Sequence, residues 1–313
     1  MRAYDIIGIL GPTAVGKSVV SDLVAVALDA EIVSADSMQV YRGMDVGTAK
    51  TPPAERPVPY HCVDLVDPGT PYSAALYQRD ARAAIDALLA RNTPAVVVGG
   101  TGLYVRAALD DMEFPAGDTL SPARERLEAR LAEEGGDALY AELDRLDPAS
   151  AALLHPNNAR RVVRALEMLA EGTSYATQAA GFRERGFHYP RTLLVGLTVD
   201  RDELYRRVDA RVDAMIESGL VEEVRELLET GLASALTATQ AIGYKELVPV
   251  LAGESGLSEA IDTIKRSTRR YAKRQLTWFR GDSRITWVDV TGLSATQAAG
   301  RVLDLVESSE HDA

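Results

Sequence analysis

The chain is poor in the features that would place it outside a reducing, aqueous compartment. Cys62 is its only cysteine in 313 residues, so no internal disulfide can form, and a reducing environment is expected. No run of about 18 apolar residues occurs, which argues against a membrane-spanning helix. The start, Met1-Arg2-Ala3-Tyr4-Asp5, has neither an apolar core nor a small-residue cleavage site and does not read as a signal peptide. Together these absences point to the cytoplasm. There is no internal repeat, no low-complexity tract and no heptad pattern, and a monomer is expected. Positive charge is also short: 34 Lys and Arg stand against 46 Asp and Glu, a net charge of −12. Such a balance argues against a general nucleic-acid coat, although a local basic patch would suffice for a specific one.

What is present reads as an α/β protein. Ile6–Leu10, Glu31–Ser34 and Ala95–Val98 are short apolar runs bounded by turn residues, the pattern of buried parallel strands. Helical patterns over Val19–Leu28 and from about Ser73 to Arg91 alternate with them, which predicts a doubly wound, P-loop NTPase-like core. Residues 37–72, rich in Gly, Pro and Thr, read as a long ordered loop around a site. From 114 to 191 the pattern is helix after helix. Ser121-Pro122 opens one helix, and Asn158 is expected to cap another that stops at Gly172. This stretch is predicted to be an all-helical insertion between two parts of the core, 1–113 and 192–313. The core resumes with a strand at Thr192–Val199, a capping box at Asp200 and Glu203, and a last strand near Ile285–Val290.

Gly11-Pro12-Thr13-Ala14-Val15-Gly16-Lys17-Ser18 satisfies G-x-x-x-x-G-K-[ST] between a strand and a helix. Its glycines free backbone amides to face a phosphate, Lys17 adds a point charge, and Ser18 offers a hydroxyl to Mg²⁺. A phosphorylated ligand is therefore expected, but the loop does not say which. An ATPase usually carries an Asp at a buried strand end for its metal; here Ala95–Val98 runs into Gly99-Gly100-Thr101-Gly102. No N-K-x-D segment specifies guanine.

Two segments oppose the acidic background. Arg160, Arg161 and Arg164 lie within two turns of one helix. Lys265 to Arg280 carries seven basic residues, including Lys273, Arg274 and Arg280, and no acidic one, with Tyr271, Trp278 and Phe279 interleaved. Cations for phosphates with aromatics for unstacked bases suit a single-stranded nucleic-acid loop. Core packing is the competing reading for Trp278 and Phe279.

Four stretches carry a family resemblance: Ser34 to Lys50, Gly99 to Tyr104, Ala241 to Glu246, and Thr268 to Arg280. In that order they resemble the signatures of the tRNA dimethylallyltransferases, in the bacterial form without a Cys/His zinc-finger extension. The resemblance implies that dimethylallyl diphosphate occupies the phosphate loop (Gly11, Thr13, Ala14, Val15, Gly16, Lys17, Ser18) and that the acceptor is N6 of the adenosine 3′ of the anticodon in tRNA. It further implies Asp36 as the general base, Thr101 as a donor to the bridging oxygen and Arg211 as a diphosphate ligand. Alternative roles remain: Asp36 as a turn cap or a water-mediated Mg²⁺ ligand, Thr101 as a turn residue, Arg211 as an outward-snorkelling side chain. An extruded base is expected to meet Asp36, Ser37, Met38 and Gln39, with Gln39 on a base edge. Thr101, Gly243, Lys245, Gln275 and the basic residues above complete the expected tRNA surface. Rival readings are an ATP-dependent small-molecule kinase and prenyl transfer onto free AMP or ADP.

Overall fold

The computed structural model describes residues 3–114, 121–182, 186–232 and 238–308. Six strands form one all-parallel sheet: β1 (Ile6–Leu10), β2 (Glu31–Ser34), β3 (Tyr60–His61), β4 (Ala95–Gly99), β5 (Thr192–Thr198) and β6 (Ile285–Asp289), in the order β3-β2-β4-β1-β5-β6. The first strand is central, with Ile6 in register with Ala95 on one side and Thr192 on the other. Its five residues are all buried, which explains the unbroken apolar run. Ile7 and Ile9 turn to the face covered by α1 (Lys17–Leu28) and α13 (Ala295–Ser308), where Val20, Val24, Val302 and Val306 close the core. Helix α2 (Ala74–Ala90) starts at Ser73, whose hydroxyl accepts the Leu76 N–H at 3.2 Å. Its Tyr77 stacks on Tyr104 of α3 (Gly102–Leu109) and donates to the Ser34 carbonyl at 2.9 Å.

The chain divides into two compact units, Asp110–His188 and the remainder. Within Asp110–His188 the described elements are α4 (Pro122–Glu134), α5 (Gly136–Leu146), α6 (Pro148–Ala151), α7 (Ala159–Ala170) and α8 (Tyr175–Gly181), around Leu139, Leu143, Val162 and Leu166. Of the stretch expected to be helical, 115–120 and 183–185 lie outside the described residues. Ser121 caps α4, its hydroxyl accepting the Arg124 N–H at 3.1 Å. Asn158 precedes α7 without a side-chain cap, contrary to expectation. The unit that holds the sheet continues through α9 (Arg201–Glu217), α10 (Leu220–Glu229), α11 (Tyr244–Leu251) and α12 (Leu257–Arg280). At the start of α9 Asp200 accepts the N–H groups of Asp202 and Glu203, but Glu203 turns to Arg206 and Arg207. The Asp200 N–H goes to Thr291 instead, so the box is half formed. The expected loop 37–72 contains β3, a two-residue edge strand paired with Ile32 and Val33.

Register brings three strand ends together. Leu10, Gly99 and Gly196 are aligned, and Ser34 is opposite Val98, so Gly11, Asp36 and Gly100 emerge at one carboxyl edge of the sheet. A side chain on Gly99 would place its Cβ 2.2 Å from the Ala35 carbonyl oxygen. Glycine there lets the turn before Asp36 close onto the Gly99–Gly102 turn, where the Thr101 N–H reaches the Ala35 carbonyl at 3.3 Å. None of the helices formed by the described residues is long and apolar enough to cross a membrane.

Candidate active site

The Gly11–Ser18 loop joins β1 to α1, with Gly16 at a φ of 102° that an L side chain rarely adopts. Lys17 donates to the Pro12 carbonyl at 2.7 Å. Burial, and secondarily the neighbouring Arg211 guanidinium, push its ammonium down to about 7, against the opposing pull of the Asp36 carboxylate. Burial likewise lowers the Arg211 pKa, and Asp36 offsets it. Two cations and one carboxylate thus converge at the strand ends.

They line a cavity of about 70 Å³ bounded by Thr13, Lys17, Ser18, Asp36, Arg211 and Gln275. Beside it a second cavity, of about 280 Å³, is walled by Asp36, Met38, Arg211, Met215, Tyr244 and Tyr271. Thr13, Asp36, Thr48, Arg211 and Tyr271 belong to both. The larger has about four times the volume of the smaller.

Asp36 Oδ1 accepts the Met38 N–H at 2.9 Å, so the residue does cap a turn. That leaves Oδ2 for an incoming donor, and the two readings of Asp36 coexist. Arg211 does not snorkel. It is half-buried on α9 beside Val208 and Val212, and its Nη2 points to the Thr48 carbonyl at 3.3 Å. Thr101 lines neither cavity. Its Oγ1 donates to Ser37 Oγ at 3.3 Å and accepts the Ser37 N–H at 3.1 Å. Tyr271 reaches toward Thr101 and Gln275, and burial pushes its phenol up to about 12, so it stays a neutral donor. Ser37, Met38, Gly243 and Lys245 all line the larger cavity.

Three residues expected to meet nucleic acid are spent inside the protein. Gln39 accepts from Ser34 Oγ at 2.9 Å and donates to the Thr48 carbonyl at 3.3 Å, so both ends of its amide are engaged within the protein. Gln275, buried in α12, accepts the Thr13 N–H at 2.8 Å and donates to the Gly100 carbonyl at 2.9 Å. Arg164 pairs at 2.7 Å with Glu167, a fully buried carboxylate that requires a cation. Arg160 and Arg161 are exposed on α7. Lys273, Arg274, Trp278 and Arg280 are exposed on α12, while Phe279 is buried. The indole of Trp278 lies against the backbone of Gly102, where an added Cβ would come within 2.0 Å of Nε1.

Among the described residues no group of three or more His, Cys, Asp or Glu side chains is placed to hold a metal. The Ser18 hydroxyl with the single carboxylate of Asp36 fits instead a hard cation that takes most of its oxygens from a bound diphosphate and water, as Mg²⁺ does.

Fold and site together define an α/β protein of the P-loop type, with two cavities beside the Gly11–Ser18 loop that share five lining residues. The family model for IPP transferases matches residues 39–282, and the chain belongs to that family. It is 45% identical over 299 residues to the tRNA dimethylallyltransferase of Geobacillus kaustophilus (strain HTA426), covering 95% of this chain and 93% of that protein. Against the tRNA dimethylallyltransferase of Symbiobacterium thermophilum the identity is 48% over 294 residues, 93% of this chain and 91% of that one. Among solved structures, the full-length tRNA isopentenylpyrophosphate transferase of Bacillus halodurans is 41% identical, with a TM-score of 0.69 and 98% of each chain covered. A eukaryotic dimethylallyltransferase acting on tRNA is 29% identical with a TM-score of 0.79, over 97% of this chain and 79% of that one.

Proposed function

We infer that the protein transfers a dimethylallyl group from dimethylallyl diphosphate to N6 of the adenosine 3′ of the anticodon in tRNA, releasing diphosphate. The observation that carries this reading is the position of Asp36, shared by the phosphate cavity and the larger one. The larger cavity is the acceptor side, where Asp36 Oδ2 receives the N6 amine. As nitrogen bonds to the prenyl carbon, that carbon's bond to the bridging oxygen breaks. The electron pair leaves on diphosphate, and one amine proton passes to Asp36.

Negative charge develops on the leaving group, and the donors for it are Lys17, Arg211 and the amides of the Gly11–Ser18 loop. Bound through Ser18 and the diphosphate oxygens, Mg²⁺ would supply further charge neutralisation. Thr101, held on Ser37, serves to fix the Asp36–Ser37 turn in the ligand-free state and becomes a donor only if that contact opens. Arg160 and Arg161, with Lys273, Arg274, Trp278 and Arg280, are the candidates for gripping the anticodon stem-loop. The enzyme acts as a cytoplasmic monomer in this reading. An ATP-dependent kinase would also use the phosphate loop, but the relatives above are named for prenyl transfer.

The test is to incubate the protein with Mg²⁺, unmodified tRNA and dimethylallyl diphosphate, or ATP in its place, and weigh the digested nucleosides. An adenosine heavier by one dimethylallyl group, seen only with the prenyl donor, is expected. Phosphorylation of a small metabolite with no prenyl adduct would overturn the reading.

A further inference from the structure

One carboxylate outside both cavities gathers an unusual set of donors. Glu223 of α10 accepts the backbone N–H groups of three successive residues: Asp45 at 2.9 Å and Val46 at 2.6 Å on Oε2, and Gly47 at 3.1 Å on Oε1. The same Oε1 accepts the Tyr244 hydroxyl at 2.6 Å. Consecutive amides aimed at one point make an anion-binding concavity. Here the protein fills it with its own side chain, from 176 to 178 positions away in sequence. Tyr244 is 1% exposed, and its ring lies over Gly47, where any Cβ would sit 2.4 Å from Cε2. Glycine at 47 is what allows the phenol to reach the carboxylate.

The segment held this way leads directly to the phosphate site. Thr48 is fixed by its hydroxyl, which donates to the Met44 carbonyl at 2.6 Å, and Lys50 ties the far end to Asp45 and Asp64 at 2.6 Å each. The Thr48 carbonyl accepts Arg211 Nη2 and Gln39 Nε2, both at 3.3 Å. Among the described residues, this carbonyl is the partner that orients the Arg211 guanidinium, which must otherwise find its place between Asp36 and Lys17 by charge alone.

We propose that Glu223 is a positioning residue for leaving-group binding: through the Asp45–Gly47 amides it sets the Thr48 carbonyl, and through that carbonyl the aim of Arg211 at the diphosphate. This rests on the reading of the phosphate cavity given above. An aimed guanidinium binds two oxygens at once; one released from Thr48 spends rotamer freedom on binding and holds a single oxygen less well. The effect is therefore expected to be largest at the diphosphate end of the reaction, even though Gly47 and Tyr244 also line the larger cavity.

The test compares the wild type with Glu223→Gln, which keeps the shape but removes the charge and substitutes an amide for one acceptor oxygen. Expected is a rise of about tenfold in KM for dimethylallyl diphosphate and in the dissociation constant of magnesium diphosphate measured by calorimetry, the scale of losing a partner that orients a ligand group. KM for tRNA should stay within about twofold. A double variant with Arg211→Lys should lose less than the product of the two single losses, because both act on one contact. Equal losses for tRNA and for diphosphate, or full multiplicativity with Arg211→Lys, would overturn the proposal by making Glu223 a general support of the fold. If Glu223→Gln fails to fold, Tyr244→Phe removes one of the four donors and should still weaken diphosphate binding about threefold; unchanged binding there counts against the proposal. A wild type that binds diphosphate but prenylates no tRNA would refute the functional reading and leave the Glu223 comparison intact.

Discussion

Gln275 holds Thr13: the side-chain oxygen of a residue on α12 accepts a phosphate-loop amide at 2.8 Å, across 262 positions of sequence. The nitrogen of the same amide donates to the Gly100 carbonyl, so one side chain fixes the phosphate loop against the turn after β4. Replacing Gln275 by Ala removes the partner of the part-buried Thr13 N–H and orphans the buried Gly100 carbonyl, at a cost of about 1–3 kcal/mol. Thermal or urea unfolding should show the loss. Gln275→Glu restores the acceptor for Thr13 but places a carboxylate against the Gly100 oxygen, and should recover little of it.

Asp36→Asn keeps the turn acceptor for Met38 but removes the base. Transfer in single-turnover assays should slow by roughly 10² to 10⁴, the usual range for losing a general base. Diphosphate binding should survive. Retained activity would move the base elsewhere.

The low pKa of Lys17 gives donor binding a pH signature. Free Lys17 titrates near 7, whereas a bound diphosphate favours its ammonium. At pH 8 binding should therefore take up a fraction of a proton, and affinity should fall as pH rises above about 7. At pH 6, where Lys17 is already charged, its uptake should vanish. Calorimetry in two buffers of different ionisation enthalpy reads this directly, and Lys17→Gln should abolish the uptake.

Arg160→Ala with Arg161→Ala, and separately Lys273→Ala with Arg280→Ala, should weaken tRNA binding. Each lost phosphate contact should lower the slope of log affinity against log salt by about 0.7 to 0.9. KM for dimethylallyl diphosphate should not move. Trp278→Ala should weaken tRNA binding without altering that slope, since stacking carries no charge.

Arg164→Ala is expected to behave differently from its two neighbours. Its partner Glu167 is fully buried and also accepts from Ser121 Oγ at 2.8 Å. Arg124 also lies 3.6 Å from Glu167, so losing the Arg164 hydrogen bond should cost stability of about 1–3 kcal/mol, seen on unfolding, before it shows in the salt dependence of binding.

The sequence made legible what depends on near neighbours. Strand β1 and the phosphate loop announce themselves through a bounded apolar run and fixed glycine spacing, and the Ser121 cap through the proline that follows it. The edge strand Tyr60–His61 escaped because two residues after Pro59 carry no periodicity. Arg211 was legible as a diphosphate ligand only through the family resemblance, and its aim was not, because that depends on Thr48, 163 positions away. Gln39 and Gln275 were expected on the tRNA surface; only the positions of Thr48, Thr13 and Gly100 show them bracing the protein itself. Arg164 looked like its neighbours until Glu167 proved buried.

The sheet order also constrains when the protein comes into being. On a ribosome, β1 emerges long before β5, one of its two neighbours, which begins only at Thr192, and the brace on Thr13 waits for Gln275. At about 10 residues per second, roughly half a minute separates the loop from its support. A nascent chain, or one released early, thus carries the whole phosphate motif without the scaffold that shapes it. Competence to engage substrate therefore waits for a residue made 262 positions after the loop it braces.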